Sequence, residues 1–156
     1  MKKIFILEDN EYHFKDIKNT LIHNLENIEI FPSTTAPWLY NKKLDDEDSM
    51  MRTEFDYLRR CFLKLHNKDI NANEFFGLIT DKYSDMDFFI IDIELANGDK
   101  LGLDFKEYIK SQGKEFLILT SYEYFDLPIL KEDDKYMSKS DIKNSLIPKI
   151  KEIWEK

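Results

Sequence analysis

Five side chains able to handle a charged group recur at one kind of place in this chain, directly after a short apolar run. Ile4-Phe5-Ile6-Leu7 leads into Glu8 and Asp9, and Phe88-Phe89-Ile90-Ile91 leads into Asp92. Phe116-Leu117-Ile118-Leu119 leads into Thr120, and Tyr136-Met137-Ser138 into Lys139. Ionised carboxylates are costly to bury, so these residues belong at the carboxyl ends of strands, where an open α/β sheet has its ligand crevice. Asp92 taken alone reads equally as a cap that only ends its strand. Taken together, three carboxylates on one edge repel one another and partly protonate unless a hard cation joins them. Mg²⁺ or Mn²⁺ suits such a set, because it takes oxygen ligands and keeps waters and a phosphate oxygen. A hydroxyl and an ammonium opposite the carboxylates are what a transferred phosphoryl group needs for its remaining oxygens.

Such convergence requires parallel strands, and the patterning supplies them. Phe88 to Ile91 is a continuous apolar run, as in a strand buried on both faces. Ile28-Glu29-Ile30-Phe31 is a further short strand closed by Pro32. Between the strands lie amphipathic helices. Glu11 to Leu25 carries Phe14, Ile17, Leu21 and Leu25 on one face, and a helix capped at Asn73 carries Phe75, Phe76, Leu78 and Ile79. Leu103 to Ser111 ends at Gly113, and Asp141 to Trp154 presents Ile142, Leu146, Ile150 and Ile153. Lys135-Tyr136-Met137 is a short fifth strand. Five strands alternating with helices call for a parallel sheet covered on both faces.

The section from Pro32 to about Ile70 breaks this rhythm. It contains the acidic cluster Asp45 to Asp48, then a helix predicted over about Asp48 to Asn67. Met51, Phe55, Leu58, Phe62 and Leu65 are spaced by fours and threes, close to a heptad seam. This stripe either packs on its own domain or offers a dimer or partner face.

At 156 residues the chain is of single-domain size, with 42% hydrophobic and 35% charged residues. A net charge of −8 leaves no basic stripe for nucleic acid. Cys61 is alone, so there is no disulfide framework, and His13, His23 and His66 lack metal-ligand spacing. No apolar run has the length of a signal peptide or a membrane span. These features are those of a soluble, cytoplasmic protein.

With the strand ends assembled, the chain resembles the receiver domain of two-component response regulators. The resemblance rests on Ile6-Leu7-Glu8-Asp9-Asn10, Ile90-Ile91-Asp92-Ile93, Leu117-Ile118-Leu119-Thr120-Ser121 and Tyr136-Met137-Ser138-Lys139. It covers nearly the whole chain outside residues 32–70. It implies an open CheY-like (flavodoxin-like) parallel sheet in the order 2-1-3-4-5, with helices on both faces and a helical insertion between the second and third strands. Asp92 is then the phosphoacceptor, served by a sensor histidine kinase, a phosphotransfer protein or a small donor. Glu8, Asp9, Asp92 and the backbone carbonyl of Glu94 are the implied metal ligands. Thr120 and Lys139 are the implied partners of the phosphoryl oxygens. Tyr136 takes the place of the family's aromatic switch, or is simply a core aromatic. Gly102 resembles the glycine of the loop after the third strand.

Three departures stand out. Ser140 follows Lys139 where the family usually has proline, so the bond between them is expected to be trans or strained. The separation of Asp9 from Asp92 exceeds the family's by roughly 40 residues, more than ordinary loop lengths explain. Glu94 adds an acid beside the site. Because Lys156 follows the last helix directly, a stand-alone receiver acting through a downstream protein partner is expected. Two other functions fit the same residues. One is a receiver-like interaction module that works without phosphorylation. The other is a haloacid-dehalogenase-like phosphatase, with Asp92-Ile93-Glu94 as nucleophile and acid/base pair.

Overall fold

The computed structural model describes residues 1–8, 10–32, 57–58, 60–61, 63–65, 67–93, 99–121 and 134–155. Its strands are β1 (Lys2–Leu7), β2 (Ile28–Phe31), β3 (Phe88–Asp92), β4 (Glu115–Thr120) and β5 (Tyr136–Ser138). All four pairings are parallel, and the order is β2-β1-β3-β4-β5. The parallel pairing is the one that alternating strands and helices call for, and the strand order is the one the receiver resemblance implies.

Side-chain alternation along these strands divides the interior into two cores. Phe5, Leu7, Phe89, Ile91, Phe116 and Ile118 point to one face. They meet Phe75, Phe76 and Ile79 of helix α2 (Ala72–Lys82), with Phe105 and Ile109 of helix α3 (Asp99–Ser111). Ile4, Ile6, Phe88, Ile90, Leu117 and Leu119 point to the other face. There they meet Phe14, Ile17 and Leu21 of helix α1 (Glu11–Asn24) and Ile142, Leu146, Ile150 and Ile153 of helix α4 (Ile142–Trp154). Phe88 to Ile91 are all 0 or 1% exposed, because each successive side chain enters one core or the other. Fully burying such a side chain contributes about 1.5–3 kcal/mol, so β3 and the equally buried Ile4 to Leu7 of β1 supply much of the sheet's stability.

Several boundaries differ from the expectations. The cap of α2 is Asn71, not Asn73: Asn71 accepts from the Glu74 N–H at 2.8 Å, and the Glu74 side chain accepts from the Asn71 N–H at 3.3 Å. That reciprocal pair is a capping box, and it satisfies two donors where a start at Asn73 would satisfy one. Helix α3 begins at Asp99, so Gly102 lies in its first turn and not in the preceding loop. Strand β5 runs one residue further than expected, to Ser138, and a 3-10 turn (Lys139–Asp141) precedes α4. The bond between Lys139 and Ser140 is trans.

Of the predicted heptad-like helix, residues 57–58, 60–61 and 63–65 are helical. Leu58 is fully buried in the core beside α2 and α3, and Leu65 packs against the same cluster. The Tyr57 hydroxyl donates to the Leu78 carbonyl at 2.9 Å, and the Lys82 ammonium lies 4.8 Å from the Tyr57 ring centre. Leu58 is therefore engaged by its own domain, the first of the two alternatives that its stripe left open. Met51, Phe55 and Phe62 lie outside the described residues.

Candidate functional site

The parallel register carries the functional side chains to one edge. Leu7 is level with Ile91, so the next residues, Glu8 and Asp92, lie side by side. Asp92 is level with Leu119, and Thr120 is level with Ser138. Glu8, Asp92 and Thr120 are each 1% exposed, although all lie at strand ends.

Lys139 ties this edge together. From the 3-10 turn after β5, its ammonium donates to Asp92 Oδ1 at 2.7 Å and lies 3.1 Å from Glu8 Oε2. The side chain crosses β4 to do so, which only a long, unbranched residue can manage. Burial alone would lower the pKa of this ammonium, but the Asp92 and Glu8 carboxylates outweigh that and hold it above the ordinary lysine value. Burial has the opposite consequence for Glu8. Desolvation first, then the charge of Asp92, push its carboxyl up to about 8 against the pull of Lys139 and the Asn10 N–H. That N–H donates to Glu8 Oε1 at 3.1 Å, while the Asn10 side chain caps α1 by accepting from the His13 N–H at 3.0 Å.

Gly102 closes the site from the α3 side. A Cβ there would lie 2.6 Å from the Asp92 carbonyl oxygen and 2.7 Å from the Ile93 Cα and carbonyl oxygen. Those are backbone atoms that cannot swing aside, so the first turn of α3 rests directly on the end of β3.

Glu8, Asp92, Thr120 and Lys139 thus converge at one edge, as expected. Asp9 and Glu94 lie outside the described residues. Tyr136 is half-buried and packs against the core beside α2 and α3. Among the described residues no group of three metal-ligating side chains is assembled. The donors that are present nevertheless fit a hard divalent cation. Two buried carboxyl groups lie close enough to share one ammonium, and Glu8 is driven towards protonation by burial and then by the charge of Asp92.

Two features were missed in the sequence. His13 Nδ1 lies 3.9 Å from Glu8 Oε1, placed there by the first turn of α1. A second buried charge cluster joins Lys106, Lys110 and Asp134 on the α3 side of the sheet. Its one signal is Lys106 three residues from both Leu103 and Ile109, inside an apolar stripe.

No family model matches the chain, and no curated protein matches it in sequence. Among solved structures it is similar to the response regulator DrrB, a Thermotoga maritima OmpR/PhoB homologue. That likeness has a TM-score of 0.54 and 14% identity, and covers 99% of this chain and 53% of that one. It is similar also to the N-terminal domain of a response regulator/sensory box/GGDEF 3-domain protein from Carboxydothermus hydrogenoformans, with a TM-score of 0.52 and 20% identity over 99% and 94% of the two chains. The bacteriophytochrome response regulator AtBRR follows, at 0.50 and 15% over 99% and 93%. The fold is that of response regulator receiver domains.

Proposed function

We propose that the chain is a phosphorylatable receiver with Asp92 as the phosphoacceptor. The observation that carries this reading is the Lys139 ammonium bonded at once to Asp92 and Glu8, at the carboxyl edge of a receiver-type sheet. An Asp92 oxygen attacks the donor phosphorus, the donor's P–N or P–O bond breaks, and the leaving group departs with the bonding electron pair. Lys139, already on Asp92, pairs with one phosphoryl oxygen, and the Thr120 hydroxyl donates to another. Glu8 and Asp92 would hold Mg²⁺, joined by Asp9 and the Glu94 carbonyl on the family pattern. Bound there, the cation neutralises charge on the phosphoryl oxygens. Tyr136 is the proposed switch, reporting occupancy of the site from β5.

In this reading the protein catalyses only its own phosphorylation and dephosphorylation. It acts in the cytoplasm, between a kinase or phosphotransfer protein and a downstream protein partner. Among the described residues no helix is long and apolar enough to cross a membrane. The test is intact-mass measurement after incubation with acetyl phosphate and Mg²⁺. The expected product carries one phosphoryl group on Asp92, and Asp92→Asn carries none. Equal labelling of Asp92→Asn, or an unlabelled wild type, overturns the reading. Steady turnover of a phosphate ester would assign a phosphatase instead.

A further inference from the structure

Lys139 reaches its carboxylates from the weakest-held strand of the sheet. Strand β5 has three residues, lies at the edge, and is matched to β4 at Tyr136, Met137 and Ser138 alone. One further backbone bond, from the Ile118 N–H to the Lys135 carbonyl at 2.9 Å, extends the ladder. A slip of one residue would move the strand by about 3.3 Å and turn every side chain to the opposite face. Lys139 would then miss contacts that now stand at 2.7 and 3.1 Å.

Two residues ahead of β5, Asp134 is anchored to α3. Its side chain is fully buried, and Lys106, 2% exposed, donates to its Oδ2 at 2.8 Å. Lys110 donates to its Oδ1 at 3.3 Å, and Lys106 also reaches Glu107 Oε1 at 2.6 Å. Helix α3 is itself seated on β3, where Gly102 meets the backbone of Asp92 and Ile93. Lys106 is one helical turn beyond Gly102. A rigid path therefore runs from the Asp92 backbone through the first turns of α3 to the entry of β5.

We infer that the buried Lys106–Asp134 ion pair is a positioning device that holds β5 in the register delivering Lys139 to Asp92 and Glu8. Stability alone does not call for a charge pair here, since apolar residues of similar volume serve a buried site as well or better. What the pair adds is direction: an apolar contact tolerates sliding, whereas hydrogen bonds at these distances do not. Lys106 and Asp134 are positioning residues, placed on α3 and ahead of β5 and not at the strand-end carboxylates. The functional consequence, but not the geometric one, rests on the proposed role of Asp92.

Reductive methylation of the full chain, read lysine by lysine by peptide mass spectrometry, tests the geometry without phosphoryl chemistry. Lys139 should be protected in the wild type. In Lys106→Met/Asp134→Leu, which replaces both charged groups by apolar ones, Lys139 should be modified about tenfold faster through local opening, with the unfolding midpoint close to that of the wild type. If this variant is folded and Lys139 stays protected, the pair is mere packing and the inference is overturned. If it does not fold, Asp134→Asn decides in the same way, increased modification supporting the inference and unchanged protection ending it. A second arm uses labelling of Asp92 by acetyl phosphate. Asp134→Asn should slow it about tenfold in the wild-type background and not at all in Lys139→Ala, since coupled residues are non-additive. Equal slowing in both backgrounds contradicts the inference. An unlabelled wild type refutes the receiver reading, and methylation of Lys139 alone then decides the role of the ion pair.

Discussion

Lys139 and Lys106 are both buried ammonium groups held by carboxylates, yet their surroundings are balanced differently. Around Lys106 the charges match: Lys106 and Lys110 face Asp134 and the half-exposed Glu107. Around Lys139, among the described residues, lysines and carboxyl groups do not match in number, because one ammonium serves both Glu8 and Asp92. The mismatch is resolved at Glu8, whose carboxyl is pushed up to about 8 by burial and by Asp92. A cluster built only for stability would resemble the first. The second, among the described residues, keeps an excess of carboxyl oxygens at the edge where the proposed function places a cation and a phosphoryl group. In the proposed reading, the difference separates a cluster that fixes geometry from one that receives a ligand.

Breaking the balanced cluster should have the largest effect. Lys106→Ala leaves Asp134 buried with Lys110 as its remaining lysine, and the expected loss is about 3 kcal/mol, near the lower end for a broken buried pair. A shift of the urea midpoint measures it; a loss no larger than that of an exposed pair would mean that water already reaches the site.

The unbalanced cluster is probed by pH. The Glu8 carboxyl binds its proton more tightly in the folded state, at about 8, than at its ordinary value of 4.5. Its contribution to stability is therefore whole below pH 4.5 and declines as pH rises towards 8, where the folded protein also releases the proton. The slope is at most about 1.4 kcal/mol per pH unit. Glu8→Gln should flatten the decline, and Mg²⁺ should oppose it in the wild type more than in the variant. A wild-type profile that stays level from pH 5 to 8 in chelator removes the contrast between the clusters.

The link between the clusters runs through Gly102. Gly102→Ala places a methyl against the backbone of Asp92 and Ile93 and should cost about 1–3 kcal/mol, as overpacking does. Its distinguishing effect is on labelling of Asp92, which should fall even at temperatures where the variant is folded. The smallest effect is expected outside both clusters. Asn71→Ala removes the capping box of α2, costs about 1 kcal/mol and should leave labelling unchanged, which calibrates the other measurements.

The site was legible to the extent that a local pattern carries it. Asp92, Thr120 and Glu8 each follow apolar residues that can only be buried strand, so their placement at one edge follows once the strands are parallel. Lys139 was legible for the same reason, although its strand is displaced by one residue from the expected one. The cap at Asn71 was readable from the spacing Asn71-Ala72-Asn73-Glu74, where the capping box competes with the simpler start at Asn73. Asp134 was not legible. It lies within the run Lys131-Glu132-Asp133-Asp134-Lys135, which reads as a solvated charge run, and no property of those residues tells that one carboxylate turns inward. Leu58 was legible as apolar but not as to its partner, since a stripe that packs on its own domain and one that packs on another chain have the same spacing.

The sequence by itself determined the period of every element, hence the two-sided burial of β3, the faces of α1 and α4, and the class of chemistry at the strand ends. These follow from solvation, which acts on each residue through its immediate neighbours along the chain. Only the tertiary structure decided that Lys139 meets both Glu8 and Asp92, that Gly102 must be small, and that Lys106 is buried against Asp134. Those are contacts between residues distant in sequence, and their energies depend on distances of a few ångströms that no local pattern encodes.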